Sequence, residues 1–346
     1  MSPDARHQVE REELRVALER ALTQHFGTRR SVKRLCRRVS AYSSSCAIEN
    51  LEVELDRGQK LRLVFKNLSP ASVLAGAKQV RPDFLYEPLR EIATYENILP
   101  PQRLGTAICY GSVNSAEPER YWLFLERVTG PLLWQLGRLE SWEQAARWLA
   151  RLHSAFDFAK LPGRNEHFAH LVRHDKEFYH VWLSRAEEVL RHRHARTSPA
   201  TCRNFRRLAG RYDRLVARLM HLPQTFIHGE FYPSNILVGS AKGRQRICPV
   251  DWELAGIASG LIDLAALTAG GWTSEERARM IAAYRHALEP GKNWPPSLPE
   301  LVEAVECCQL HWCVQWLGWA PDWSPPEPHA RNWLREAFRL ADKLGL

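Results

Sequence analysis

The chain has 346 residues, which suits one large domain or two of ordinary size. Hydrophobic residues make up 45% and charged residues 25% of it, close to the globular average, which excludes a disordered chain, a collagen and a coiled-coil rod. No apolar run approaches the roughly 20 residues that span a bilayer, and none follows residues 1–7 as in a secretory signal. We therefore expect a cytoplasmic protein without a membrane partner.

The formal net charge of +9 is unevenly distributed. Between residues 160 and 221, 14 Lys and Arg residues stand against 6 Asp and Glu residues, whereas the first 128 residues carry a net +4. A solvated basic face explains such a segment without any function. If the segment faces a ligand, Coulomb attraction favours a neutral or anionic molecule over a polycation. No recognised motif for reading nucleic acid is present, so a nucleic-acid partner is not expected.

The first 128 residues predict a helix followed by a strand-rich region. Apolar residues at helical spacing predict a helix over residues 8–26, which Gly27 ends. Strand-like runs follow, with a hairpin turn at 56–59 and a helix at 85–99; the predicted strands are 32–41, 47–55, 60–68, 106–112 and 120–128.

From residue 129 onward, helical periodicity dominates. Helices are predicted at 142–156, 167–194 and 201–220, then a strand–loop–strand block at 225–251 with a turn at 239–243, then further helices. The predicted fold class is α+β, with a strand-rich lobe over 1–128 and a mostly helical lobe over 129–346. A crevice between two lobes is a common place for a ligand.

The most informative stretch contains two apolar strands that each end in polar groups. His228-Gly229-Glu230 follows the first strand, Asn235 comes five residues after Glu230, and Asp251 follows the second strand. Carboxylate and amide oxygens suit Mg²⁺, which usually keeps waters and substrate phosphates as its other ligands.

This pattern, His-Gly-acid-x₄-Asn followed by Asp-Trp-Glu, resembles the aminoglycoside phosphotransferase family and its choline-kinase-like relatives, which have a protein-kinase-like fold. Further matches occur in the same order as in the family, at residues 61–66, 90–99, 125–130, 146–153 and 256–267. The resemblance implies an N-terminal lobe with an antiparallel five-stranded sheet. It also implies an ATP-dependent transfer of the γ-phosphate to a hydroxyl of a small molecule.

The resemblance assigns roles at the phosphates. Lys66 would hold the phosphates of ATP, and Glu91 would pair with Lys66. Asn235 and Asp251 would bind Mg²⁺, and Glu230 would orient the acceptor hydroxyl and accept its proton.

The resemblance also predicts where adenine binds. Val64 and Lys66 share one face of a strand, so Val64 would cover the base while Lys66 reaches the phosphates. Leu237 would lie below the base, and the backbone groups from Glu126 to Val128 would hydrogen-bond its edge.

Two departures from the family pattern matter. The loop at 40–46 has Ser43 and Ser44 where the family has a glycine-rich loop; serines can contact phosphate but lack the freedom of glycine at positive φ. Glu230 stands where the family has Asp, and the extra methylene moves the carboxylate by about 1 Å, which can cost roughly 10²-fold in rate. The alternative is therefore a weak or inactive kinase-like protein that binds nucleotide in a regulatory role.

Other chemistry-bearing residues carry weaker expectations. Asp263 is predicted to hold the catalytic loop by hydrogen bonds rather than to bind metal, and the role of Glu253 stays open. The eight cysteines include no CxxC pair, and neither the residues 307–313 nor the histidines at 167, 170 and 174 are expected to bind metal. The late tryptophans are interpreted as helix packing, with an aromatic wall for the acceptor as the alternative; they are Trp312, Trp316, Trp319, Trp323 and Trp333.

Overall fold

The computed structural model describes residues 9–42, 45–156, 166–192, 198–241, 243–288, 297–319 and 332–346. Ser43 and Ser44, predicted to approach the phosphates, lie outside these residues, as do Trp323 and parts of the basic segment. Among the helices described, none combines the length and apolarity that a membrane span requires.

The chain contains ten strands and eleven α-helices among the described residues. The strands are β1 Val32–Val39, β2 Ala47–Leu55, β3 Lys60–Asn67, β4 Cys109–Ser115, β5 Arg120–Glu126, β6 Val172–Arg173, β7 Gln224–Ile227, β8 Ile236–Ala241, β9 Arg244–Pro249 and β10 Gly256–Ser259. The helices are α1 Arg11–Phe26, α2 Ala75–Val80, α3 Pro88–Ala93, α4 Leu139–Ala155, α5 Lys176–His192, α6 Pro199–Ala209, α7 Tyr212–His221, α8 Leu261–Thr268, α9 Ser274–Ala287, α10 Leu298–Leu317 and α11 Trp333–Leu344.

The N-terminal strands form a five-stranded sheet in the order β1-β2-β3-β5-β4. Every neighbouring pair in it is antiparallel. The sheet and the helical part that follows confirm the predicted α+β class and the antiparallel five-stranded sheet.

Helix α1 covers the outer face of this sheet. Leu14 and Leu18 are fully buried against Phe65 and Phe124 in one apolar cluster. Gly27 ends the helix at φ 64°, a conformation that glycine adopts without steric cost. Because side chains alternate along a strand, Phe65 points to α1 while Val64 and Lys66 point to the opposite face. That face is the one on which the site is built.

The connection after β5 is packed tightly against the β8–β9 hairpin. A side chain at Gly130 would place its Cβ 2.3 Å from the carbonyl oxygen of Val238. Val238 N–H donates to the carbonyl of Pro131 at 2.9 Å, and Leu132 forms a bridge with Leu237. Close backbone contact, which glycine permits, therefore brings Leu237 against the connection that follows β5.

The prediction of one helix over residues 167–194 is wrong for the residues before 176. The regular helix α5 begins at Lys176, and β6 before it runs parallel to β10. Gly256 permits this pairing, because a Cβ there would lie 2.6 Å from the carbonyl oxygen of Val172. Tertiary strand pairing thus overrides the local helical spacing, and the histidines at 167, 170 and 174 do not share a helix.

Other element boundaries also differ from the prediction. The helix predicted at 201–220 is two helices, α6 and α7, which separate at Gly210 and Arg211. The helix predicted at 85–99 is α3 followed by a π-helical turn, Thr94–Ile98. The β8–β9 turn is shorter than the predicted 239–243, because β8 extends to Ala241. Helix α2 was missed.

Candidate active site

Three charged side chains from distant parts of the chain meet at the inner face of the sheet. Lys66 Nζ donates to both carboxylate oxygens of Glu91 at 2.7 Å and to Asp251 Oδ1 at 2.7 Å. The side chains of Lys66 and Glu91 are 7% and 2% exposed, whereas that of Asp251 is 25% exposed. The arrangement is a nearly dry ion triad with one open side at Asp251.

The triad keeps Lys66 charged. Burial alone would lower its pKa, but the carboxylates of Asp251 and Glu91 outweigh burial and hold the pKa well above its ordinary value of 10.5. Glu91 Oε1 also accepts a hydrogen bond from Trp252 N–H at 3.2 Å, which ties α3 to the residue after Asp251.

Asp251 has an unusual backbone conformation. It follows β9 with φ 70°, in the left-handed region that few residues other than glycine, asparagine and aspartate adopt. Its Oδ1 is bonded to Lys66, while Oδ2 has no hydrogen bond within the described residues. A carboxylate with one free oxygen is therefore presented beside the lysine.

The loop that carries Glu230 is held from below by Asp263. The buried carboxylate of Asp263 accepts hydrogen bonds from the backbone N–H groups of His228 at 2.6 Å and Gly229 at 2.9 Å. Gly229 has φ 84°, and a Cβ there would lie 2.2 Å from the carbonyl oxygen of Leu254. The structure confirms the predicted role of Asp263 as a support of this loop.

His228 is a neutral part of the loop. Its Nε2 lies 3.0 Å from the carbonyl oxygen of Val250, and its Nδ1 accepts from the backbone N–H of Glu230 at 3.3 Å. These partners select the tautomer with the proton on Nε2. Burial lowers the pKa of His228 below its ordinary value, so the ring joins the two strand ends without carrying a charge.

Glu230 interacts with two other carboxylates of the site. Burial, and after it the carboxylates of Glu253 and Asp251, raise the pKa of Glu230 well above its ordinary value of 4.5. Within the described part of the chain, its carboxylate makes no hydrogen bond. Asn235 Nδ2 donates to the backbone carbonyl of Glu230 at 3.1 Å, which leaves Asn235 Oδ1 without a described partner.

Glu253 joins three distant segments of the N-terminal part of the chain. It accepts from Ser45 Oγ at 2.8 Å and from Arg81 Nη1 at 2.8 Å, and its backbone carbonyl accepts from Arg90 Nη1 at 2.6 Å. Ser45 belongs to the loop between β1 and β2, so this loop is tied to the residue two after Asp251. Ser45, Arg81 and Arg90 were missed, because nothing in the sequence distinguishes them from other serines and arginines.

The segment predicted to face adenine is fixed by Arg246 of β9. Arg246 binds both oxygens of the Glu126 carboxylate, at 2.7 and 2.8 Å, and also the carbonyls of Gly105 and Thr106. Val128 N–H donates to the carbonyl of Glu126 at 3.1 Å, so the two groups predicted to bind a base edge pair with each other. Val64 and Leu237 are both half-buried beside this segment.

An aromatic group packs against the Glu230 loop. The ring of Tyr232 lies 4.9 Å from Trp312 and 5.9 Å from Trp316, between centroids. Trp316 stacks on Trp333, and Trp319 stacks on Trp182. The described late tryptophans therefore pack on helices, as interpreted, and also reach within two residues of Glu230.

The site offers few oxygen atoms that could bind a metal ion. No group of three or more His, Cys, Asp or Glu side chains among the described residues has the geometry of a metal site. Asp251 and Asn235 are the two predicted ligand residues, and each keeps one oxygen, Oδ2 and Oδ1 respectively, that makes no described hydrogen bond. Two protein oxygens suit a cation that takes its other ligands from phosphate and water, as Mg²⁺ does.

Comparison with known proteins gives a family and a fold. The model of a family described as a phosphotransferase enzyme family matches residues 99–299, more than half of the chain. Among curated proteins, none matches the chain significantly.

Solved structures share the fold over nearly the whole chain. A microcompartment-associated aminopropanol kinase is 17% identical with a TM-score of 0.51, covering 89% of this chain and 90% of that chain. An ethanolamine kinase from Plasmodium vivax is 11% identical with a TM-score of 0.54, covering 97% and 89%. The GDP complex of an aminoglycoside 2'-phosphotransferase-IIIa variant is 12% identical with a TM-score of 0.53, covering 96% and 97%.

Proposed function

The chain belongs to the phosphotransferase enzyme family, and from this premise we propose that it transfers the γ-phosphoryl group of ATP to a hydroxyl group of a small molecule. The observation that carries the proposal is the buried triad in which Lys66 Nζ lies 2.7 Å from both Glu91 and Asp251. Such a lysine, held charged next to a half-open carboxylate, is suited to bind phosphate beside a metal ion. In this proposal residues 1–128 form the nucleotide-binding lobe and 129–346 the catalytic and acceptor-binding lobe.

The phosphate end of the site would be organised by four side chains. Glu91 fixes the direction of Lys66, whose ammonium group would bind the α- and β-phosphates. Asp251 and Asn235 would hold Mg²⁺ through their free oxygens. When bound, the metal would neutralise charge on the transferring group, which is most of what this reaction requires of an enzyme.

The adenine end would use the segment that Arg246 holds. A purine edge would replace the weak contact between Val128 N–H and the Glu126 carbonyl, and the ring would lie between Val64 and Leu237. Ser43 and Ser44 would approach the phosphates from the loop that Ser45 ties to Glu253.

Glu230 would accept the proton of the acceptor hydroxyl. Its carboxylate has no described hydrogen bond that would have to break, and its raised pKa makes the ionised carboxylate a stronger base than an ordinary glutamate. Asn235 holds the backbone at Glu230, so the two residues of the motif act on one loop.

The acceptor is proposed to be neutral or anionic rather than polycationic, in a cytoplasmic enzyme. The solved relatives are named for aminopropanol, ethanolamine and aminoglycosides, which are amines. In this chain the excess of positive charge lies between residues 160 and 221, in the part that follows the sheet. Repulsion between that segment and a polycation would disfavour such an acceptor.

The proposal is tested by ATP consumption. Purified protein would be incubated with ATP, with and without Mg²⁺, and with a panel of sugars, sugar acids, amino alcohols and nucleosides. Turnover that requires both Mg²⁺ and one acceptor class supports the proposal. Absence of ATP binding in calorimetry at saturating Mg²⁺ would contradict it.

A second candidate is a kinase-like protein that binds nucleotide without transferring phosphate. The observation that favours it is Glu230 in the place of the family's Asp, because its longer side chain displaces the carboxylate. This candidate predicts stabilisation by ATP without turnover. The variant Glu230→Asp separates the two: a gain of turnover would show a displaced base, and continued inactivity with intact ATP binding would support the binding role.

Glu230→Gln should abolish turnover and raise the thermal stability at neutral pH. The folded state raises the pKa of Glu230, which means that folding favours the protonated carboxyl group. Relative to the ionised group, this contribution to the free energy of unfolding is complete below the ordinary pKa and is lost as pH rises through the raised pKa. Glutamine removes the repulsion with Asp251 and Glu253. We expect the Tm of the variant to match the wild type near pH ~4 and to exceed it by about 2 °C at pH ~8.

Scanning calorimetry across this pH range measures the effect. Glu187→Gln is the matched control, because Glu187 lies on the exposed side of α5. Its Tm should equal that of the wild type at each of the two pH values. A Tm for Glu230→Gln below the wild type at high pH would show that the glutamate stabilises the fold.

A further inference from the structure

A cavity lies in the helical part of the protein, apart from the residues assigned to ATP. Its volume is about 460 Å³, and it lies among the loop after α8, the start of α9, the end of α10 and the start of α11. None of Lys66, Glu91, Glu230 or Asp251 lines it. We call it the arginine cleft, defined by Arg277, Trp312, Trp333, Arg335, Glu336 and Arg339.

The charge of the arginine cleft is positive. Three guanidinium groups line it, against the single carboxylate of Glu336, which binds Arg339 at 2.6 and 2.9 Å. Arg277 and Arg335 form no ion pair with any residue that the structure describes. Among the described residues, the Arg277 guanidinium makes two hydrogen bonds, both long, at 3.3 and 3.4 Å, to the carbonyls of Thr268 and Gly270. Two guanidinium forks are therefore available to an anion.

The walls of the cleft are aromatic and amide-bearing. Trp312 and Trp333 meet at 90° with centroids 5.7 Å apart, which makes an apolar corner. Gln309 and Asn332 add polar edges, and Asn332 also caps α11 by accepting from Arg335 N–H at 2.9 Å. A cavity of this volume with an apolar corner and a few convergent polar groups has the character of a small-molecule site.

We propose that the arginine cleft binds a small organic anion, whose carboxylate or phosphate is held by Arg277 and Arg335 and whose planar or apolar body rests on Trp312 and Trp333. Trp312 is shared between the cleft and Tyr232, two residues after Glu230. A ligand bound against Trp312 would therefore act on the loop that carries Glu230. The bound anion is either the anionic end of the acceptor or a separate small molecule, and the same side chains would bind it in both cases.

The test is calorimetric titration of the full chain with phenyl phosphate, which combines an anion and a ring, with inorganic phosphate and phenol titrated separately. Phenyl phosphate should bind more tightly than either part, with an affinity that falls as salt is added. Arg335→Gln should weaken its binding by about tenfold, since one charge-assisted contact is lost. Arg335 is exposed, so this change leaves the fold intact.

Arg206→Gln is the matched control, because Arg206 is an exposed arginine on α6 outside the cleft. This variant loses the same charge as Arg335→Gln. Equal weakening in both variants, or no binding of phenyl phosphate at millimolar concentration, overturns the proposal. ATP titrations on the same samples keep the outcomes distinct: binding of ATP without phenyl phosphate rejects only the arginine cleft, and the reverse rejects only the proposed function.

Competition decides the source of the anion. If phenyl phosphate inhibits turnover competitively with the acceptor, and Arg335→Gln raises the acceptor KM, the cleft holds the acceptor's anionic end. If phenyl phosphate changes kcat without competing, and Arg335→Gln removes that effect, the ligand is a separate regulator. Either result supports the site.

Discussion

Replacing Asp251 by asparagine should lower ATP-dependent turnover by at least about 10³-fold. Asp251 is the one carboxylate that both contacts Lys66 and keeps an oxygen free of described hydrogen bonds. The amide loses the negative charge that Mg²⁺ and Lys66 require, while the size of the side chain is unchanged. Steady-state turnover at saturating ATP and Mg²⁺, with the best acceptor of the panel, measures the loss.

Asparagine is the informative substitution at this position because of the backbone. Asp251 has φ 70°, which asparagine tolerates and alanine does not without strain. Asp251→Ala should therefore be equally inactive and also less stable, so only the asparagine variant isolates the charge. Asp213→Asn, at an exposed residue on α7 that pairs with His180, is the control for a lost carboxylate. Retention of more than a tenth of the wild-type turnover by Asp251→Asn would refute the proposed metal site.

The sequence predicted the strands of the N-terminal sheet well, because strand signals are local, whereas the antiparallel five-stranded arrangement was implied by the family resemblance. Alternation of apolar residues over β2 and β3 and a turn at Asp56 to Gly58 suffice to indicate antiparallel hairpins. The pairing of Lys66 with Glu91 was reached through the family resemblance, and the structure brings these two side chains together. No local pattern would have joined residues 25 positions apart on a strand and a helix.

The contacts that the sequence could not predict are long-range and chemically ordinary. Arg81 and Ser45 converge on Glu253 from 172 and 208 residues away, yet each looks like a solvent-facing side chain in its own segment. The arginine cleft is another example, because Arg277 and Arg335 belong to the different helices α9 and α11, which meet at the cleft only in the folded chain. The misread helix before α5 has the same cause, since the partner of β6 is the distant β10.

Replacing Asp263 by alanine should lower the free energy of unfolding by about 3–5 kcal/mol. The side chain is fully buried and accepts the backbone N–H groups of His228 and Gly229, with His153 Nε2 at 3.4 Å. Alanine leaves these donors buried without an acceptor and opens a small cavity. Urea denaturation followed by circular dichroism measures the change.

Asp263→Asn is the matched variant, and its effect should be smaller but still destabilising. Asparagine keeps one oxygen that can accept from a backbone N–H, but its amino group then faces the second N–H donor. Both variants should lose turnover, because the loop that carries Glu230 loses its support, whereas ATP should still bind below the unfolding transition, since Lys66 and Glu91 are untouched. An urea midpoint for Asp263→Ala equal to that of the wild type would show that the loop is held by its other contacts, chiefly the bonds of His228 to the backbones of Val250 and Glu230.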